Sequence, residues 1–355
     1  MNVPENWEQV LHIIDYAQSL DELKRIHETL IPFLKQQTIS VEETERIYSF
    51  LNRAHRGMMK RALELAENRV IQENAGKRPD KISWMIMGSG ARCEQTVWTD
   101  QDNGIVYSCE NHERDDCERF VERFSEIGVE YFRKIGYPLC PGNVMATNPR
   151  WRQSIEEWKI TLLEYSSGTT FNSMKFLFIA IDMAPIYGNV ELVHHLREWL
   201  ILNVKTRKSI LFQLKDAILS HEVPINLFGK VFTERWGEYS GQFDIKTGVF
   251  SQFVNAIKFL AASSGYQETS TLSRMERLFK DGKLTAPMYE ELKEAFTFLL
   301  FLRVKNSLAE KGDSHSLDQH IFLNRLSADS LKRLKQAMKI TKRLQSSIYK
   351  RGDGD

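Results

Sequence analysis

Two aspartates two positions apart, Asp100 and Asp102, and a run of tiny residues about a dozen positions ahead of them, Gly88-Ser89-Gly90, are the residues here that could do chemistry. In an extended chain, side chains at i and i+2 share a face, so the carboxylates would stand side by side while Gln101 looks away. Magnesium takes oxygen ligands, commonly one or two carboxylates, and leaves its other positions to water and substrate phosphates. The glycines let backbone N–H groups approach phosphate oxygens with no side chain in the way. Arg92 offers a planar guanidinium to the same charge. Together these pieces suit a nucleoside triphosphate with its magnesium. Each alone is weak: D-x-D also occurs in exposed turns and Gly-Ser-Gly in ordinary tight turns, so the weight rests on their order and surroundings.

Those surroundings are apolar runs of strand length. Residues 82–87 lead into the glycines and residues 105–107 follow the acids, which predicts strand, small-residue loop, connector, then two carboxylates on a strand. A third run, MKFLFIAID over residues 174–182, predicts a buried strand delivering Asp182 at its edge, with a turn-capping aspartate as the alternative.

The stretch GSGARCEQTVWTDQDN, residues 88–103, resembles the G-S-x-G-R-x-E-Q-T-x-x-T-D-Q-D-N signature of a family of bacterial nucleotidyltransferases. Members are often joined to CBS-pair or cyclic-nucleotide-binding modules. They are related to the PII uridylyltransferases and glutamine synthetase adenylyltransferases, within the polymerase-beta-like superfamily. GYPLCPGNVMATNPRWRQSIEEW, residues 136–158, is similar to a second family block, and FDIKTG, STLSRMERL and AFTFLLFLRVKN resemble the helical C-terminal domain, so the likeness runs from about Glu45 to Tyr349. It implies two-metal transfer of a nucleoside monophosphate from a nucleoside triphosphate to an acceptor hydroxyl on a protein, in signal transduction. Asp100, Asp102 and Asp182 would be the catalytic, magnesium-holding acids. Gly88, Ser89, Gly90, Arg92 and Lys246 would bind the nucleotide. The chain departs from the family at Ala91 and Asn143, where glycines are expected, and at Ala184, where D-x-R-P has arginine. Those departures leave a second reading open, a catalytically weakened nucleotide-sensing module with a regulatory partner.

With 355 residues, 42% hydrophobic and 27% charged, the chain has the composition of an ordinary globular protein of two or three domains. Its net charge of +1 gives no bulk attraction to nucleic acid or anionic membrane. Four cysteines without C-x-x-C spacing suggest neither a zinc site nor a disulfide framework, and so the reducing cytoplasm. Cys140 has no histidine in its block to activate it. No run reaches membrane-spanning length, and MNVPENWEQV is not a signal peptide.

Capping patterns at Ser19/Glu22 and Ser40/Glu43 open helices before residue 80, and Phe120, Phe124, Ile127 and Tyr131 give another its apolar face. His194 and His195 cannot face one ligand from a helix and read as one core-edge and one exposed residue. A basic amphipathic helix lies beyond residue 330, read as a solvated face, and RGDGD as a tail. The fold class reads as α-rich α/β, with helices over 1–80 and a helical C-terminal domain over 191–355, and the resemblance implies a polymerase-beta-like core with a mixed sheet over 81–190.

Overall fold

The computed structural model describes residues 6–167, 171–226, 228–309 and 320–350. The tail-like reading of residues 351–355 and the first five residues of the N-terminal reading fall outside that range. The chain divides into two compact units: Met1–Thr38, Arg46–Tyr165 and Ile179–Leu200, then Ile39–Glu45, Ser166–Phe178 and Ile201–Asp355.

The first unit opens with helices α1 (Trp7–Tyr16), α2 (Leu20–Lys35) and α3 (Thr44–Glu73). The start of α2 follows from its sequence: the Ser19 hydroxyl accepts from the Glu22 N–H at 3.3 Å, and the Glu22 carboxylate accepts from the Gln18 N–H at 2.7 Å. Trp7 sets its edge against Phe33 and Phe50, at 5.3 and 4.6 Å between centroids, which pins α1 across its neighbours.

The sheet comprises β1 (Lys81–Ile86), β2 (Asn103–Ser108), β3 (Arg152–Ser154) and β4 (Ala184–Gly188), in the order β3-β2-β1-β4. It is mixed: β1 runs antiparallel to both β2 and β4, while β2 and β3 are parallel. Between β1 and β2 sits a single helical turn, α4 (Gly88–Ala91). The sheet is covered by α5 (Arg114–Lys134), whose Gly128 lets Trp84 of β1 approach so closely that a Cβ there would lie 2.5 Å from its ring. Phe120, Phe124 and Ile127 are buried as their spacing predicts. After β3 comes α6 (Ile155–Ser166).

Residues 174–182 correct the sequence reading. They are not a strand: most belong to a helix, α7 (Phe171–Ala180), and Asp182 lies in the turn between α7 and β4. A continuous apolar run carries no periodicity to separate strand from buried helix, and Met, Leu, Ala and Lys favour the helix. The next helix, α8 (Val190–Thr206), leaves both His194 and His195 exposed, another departure from expectation.

The described part of the second unit is mostly helical, with one short antiparallel pair formed by strands distant in sequence. It contains α9 (Lys208–Leu219), β5 (Phe243–Asp244), a π-helical turn at Lys246–Phe250, and α10 (Ser251–Ser264). Beyond these lie α11 (Thr271–Lys280), α12 (Ala286–Ala309), β6 (His320–Ile321) and α13 (Ala328–Lys350). Phe250 and Phe253 stack on Phe296, and α13 buries Leu334, Met338, Thr341, Leu344 and Ile348 beneath its basic face. Among the described residues, no helix is long and apolar enough to cross a membrane.

Candidate active site

Strand register brings the two halves of the site together. Ile86 opposes Asn103, and one step further the Met87 N–H donates to the Asp102 carbonyl at 2.9 Å, so Gly88 meets Asp102 where β1 ends. Gly88 has φ +54°, and a Cβ there would stand 2.5 Å from Asp102 Oδ2. Glycine is thus required on two counts, backbone and space. Ala91 has no positive φ and is buried at the end of α4, so its methyl causes no backbone strain. Asn143 does sit at φ +54°, a conformation asparagine tolerates better than most side chains.

Asp100 and Asp102 lie in the segment just ahead of β2, not inside the strand. Their alternation is enforced from the opposite side. Gln101 is buried, its Nε2 donating to the Val129 and Tyr137 carbonyls at 3.1 and 2.9 Å and its N–H to Pro138 at 3.0 Å. Asn103 donates its N–H to the Val144 carbonyl at 3.0 Å, and its Oδ1 accepts from the Ala146 N–H at 2.9 Å. These two amides, clamped into the loop before β3, leave the acids partly exposed in one small pocket with Ser89, Gly90 and Gln95. The positioning role of Asn103 was missed in the sequence, although the period-two spacing with Gln101 signalled it.

Beneath the acids, His55 of α3 is fully buried. Its Nε2–H donates to the Thr96 carbonyl at 3.0 Å and its Nδ1 accepts from the Tyr137 hydroxyl at 2.8 Å, a pattern that a neutral imidazole satisfies. Burial, reinforced by the neighbouring His27, pulls its pKa down to about 3. Cys140 faces the same acids: burial first, then the Asp102 charge, push its thiol up to about 12, so it stays protonated and is no thiolate nucleophile.

Arg92 is differently employed. Its Nε bonds Glu94 and its Nη1 bonds Asp182, both at 2.6 Å, and Glu94 and Asp182 are almost wholly buried. Burial alone would lower the guanidinium pKa, but the two carboxylates more than offset it and hold the group firmly charged. The structure therefore gathers Gly88, Ser89, Gly90, Asp100 and Asp102, and separately joins Arg92 to Asp182. Asp182 does not line the pocket of the other two acids. Ala184 is buried in β4 opposite Ile86. Lys246 begins the π-helical turn of the second unit, beside an Asp244 side chain that accepts from the Thr247 N–H and hydroxyl.

An oxygen-seeking divalent cation fits the first group by its donors. Two partly exposed carboxylates share the pocket with Gln95, whose buried amide oxygen has no hydrogen-bond partner among the described residues, giving an all-oxygen set. Among the described residues no three His, Cys, Asp or Glu side chains gather into a metal-binding group, so any ion here would be held by two carboxylates at most.

Comparison with known families gives two matches. The model "Putative nucleotidyltransferase DUF294" matches residues 25–170, and "Putative nucleotidyltransferase substrate binding domain" matches residues 208–351. Together they span most of the chain. No curated protein matches it.

Proposed function

Because the chain belongs to the nucleotidyltransferase family that these two models describe, we propose that it moves a nucleoside monophosphate from a nucleoside triphosphate to an acceptor hydroxyl on a protein, with Asp100 and Asp102 holding magnesium. The observation that carries this reading is the shared pocket of Asp100 and Asp102 against the Gly88–Ala91 turn. In the reaction the acceptor oxygen attacks the α-phosphorus, the bond to the bridging oxygen breaks, pyrophosphate leaves, and the hydroxyl proton passes to water. Bound magnesium supplies Lewis acidity to the phosphate oxygens and neutralises charge on the leaving group. Asp100 and Asp102 orient that ion, while the Gly88 backbone keeps Asp102 in place and Ser89 and Gly90 present a surface free of bulky side chains to the phosphates.

A protein acceptor, as in the uridylylation of PII, is supported by the family resemblance and by a second matched region described as substrate binding. Asp182 is wholly buried with its Oδ2 on Arg92, so for it to serve as a third metal ligand in a two-metal mechanism its surroundings would have to open when nucleotide arrives. That pairing favours a second reading, a module that senses nucleotide without transferring it.

Nucleoside triphosphates labelled at the α-phosphate, incubated with protein and magnesium, alone and in cell lysate, separate the two. Labelled product that disappears with Asp100→Asn supports transfer. Binding without product in every condition overturns it in favour of sensing.

A further inference from the structure

The charges at the site do not suit a polyphosphate as they stand. Asp100, Asp102, Glu94 and Asp182 bring four carboxylates, and Arg92 is taken up by two of them. A divalent ion on Asp100 and Asp102 only neutralises that pair. Some other cation must meet the triphosphate, and Arg92, the residue the sequence singles out, is engaged elsewhere.

Arg56 is not itself among the residues lining the pocket of the two acids, but it lies beside the elements that form it. It follows His55, whose imidazole grips the Thr96 carbonyl, and it precedes by one helical turn Met59, which lines the pocket of the two acids. Its Nη2 donates to the Pro185 carbonyl, next to Ala184, which pairs with Ile86 at the end of β1. Cys93, the residue after Arg92, is also in its neighbourhood, its thiol kept protonated by burial. Arg56 is therefore flanked by the segment that follows α4 on one side and by the start of β4 on the other.

Its surroundings are unusual for an arginine. It is half-buried, and among the described residues no carboxylate pairs with it. Burial lowers its pKa. Withdrawing a guanidinium from water without a counter-charge is costly, and one backbone carbonyl engages one of its five donors. An incoming anion offsets that cost, and a guanidinium fork matches phosphate oxygens in geometry.

We propose that Arg56, on α3, is the cationic residue of the nucleotide site and contacts the polyphosphate of the substrate in place of Arg92. This rests on the transfer reading above for its substrate, but not for its test. The probe is inorganic tripolyphosphate, titrated calorimetrically into the full-length protein with and without magnesium. Arg56→Gln keeps a donor for the Pro185 carbonyl and removes the charge, whereas Arg56→Lys keeps the charge. The expected result is a tenfold or greater loss of tripolyphosphate affinity in Arg56→Gln, partial retention in Arg56→Lys, and weakening of wild-type binding as salt rises. Thermal unfolding of Arg56→Gln close to that of wild type excludes a merely structural tether. Affinity within twofold of wild type in Arg56→Gln overturns the proposal, as does wild-type protein that binds no tripolyphosphate. Arg56-dependent binding with no transfer to any acceptor keeps the anion site and refutes only the transfer reading.

Discussion

Two sets of acidic side chains in the first unit are chemically alike and physically opposite. Asp100 and Asp102 stay partly exposed in a shared pocket, held there by the amides of Gln101 and Asn103 on the far side of the backbone. Glu94 and Asp182 are closed around Arg92, with the Asp182 side chain 0% and that of Arg92 12% exposed. The contrast teaches that environment, more than residue type, decides whether a carboxylate is available to a ligand. A partly exposed pair can be reached by a cation, while a buried set is turned toward its own arginine.

The sharpest way to break this comparison is to remove one acid from each set. Asp182→Ala leaves the Arg92 charge balanced by Glu94 but its buried Nη1 without that partner, and an unsatisfied buried donor costs about 1–3 kcal/mol. Urea unfolding should show that loss for Asp182→Ala. Asp102→Asn, by contrast, should change stability by less than about 1 kcal/mol, because it removes charge from a partly solvated position, and lower transfer by about a thousandfold, roughly 4 kcal/mol of barrier. Equal destabilisation by both substitutions would erase the distinction.

A smaller effect separates the two non-acidic ends of α4. Gly88→Ala places a methyl on Asp102 Oδ2 and forces alanine to φ +54°, so transfer should fall by roughly 10- to 100-fold through misplacement of the carboxylate. Ala91→Gly, at a helical position with no positive φ, should leave transfer near wild type and cost about 0.5–1 kcal/mol of stability. Steady-state kinetics beside thermal melts of the two variants read both effects.

The sheet was the legible part of this fold, because strands buried on both faces write themselves as apolar runs: residues 82–87 and 105–107 fall on β1 and β2. The α-rich α/β class follows from the same patterns together with the capped helices ahead of them, while the mixed sheet was implied by the family resemblance. Residues 174–182 defeated that logic, since a run apolar on every side fits a buried helix equally well. At the site, the pairing of Asp100 with Asp102 and their nearness to Gly88 and Ser89 could be read from spacing alone. The engagement of Arg92 could not: Asp182 lies ninety positions away, and only the β1–β4 pairing brings the two together. Arg56 was hidden for a similar reason, as one arginine among several along a long helix whose role depends on which strand its tip reaches.

The mildest test concerns what keeps the open pair in place. His55 ties α3 to Thr96 and Tyr137, and Tyr137 in turn accepts from Gln101 through its carbonyl, so the imidazole supports the segment that carries both acids. Its folded-state pKa is about 3 against an ordinary 6.5. Below pH 6.5 the unfolded chain takes up a proton that the native chain refuses, so stability is complete above 6.5 and is lost as pH falls toward 3. Between pH 6.5 and 5.5 the contribution of this one group is a loss of about 1 kcal/mol, approaching about 1.4 kcal/mol for each further unit. Measured as the difference between wild type and His55→Gln in urea unfolding across that range, the slope should belong to wild type and be absent from the variant. Identical slopes would mean that the imidazole takes its proton in the folded protein too, and that the base of the open pair is wetter than its hydrogen bonds to Thr96 and Tyr137 imply.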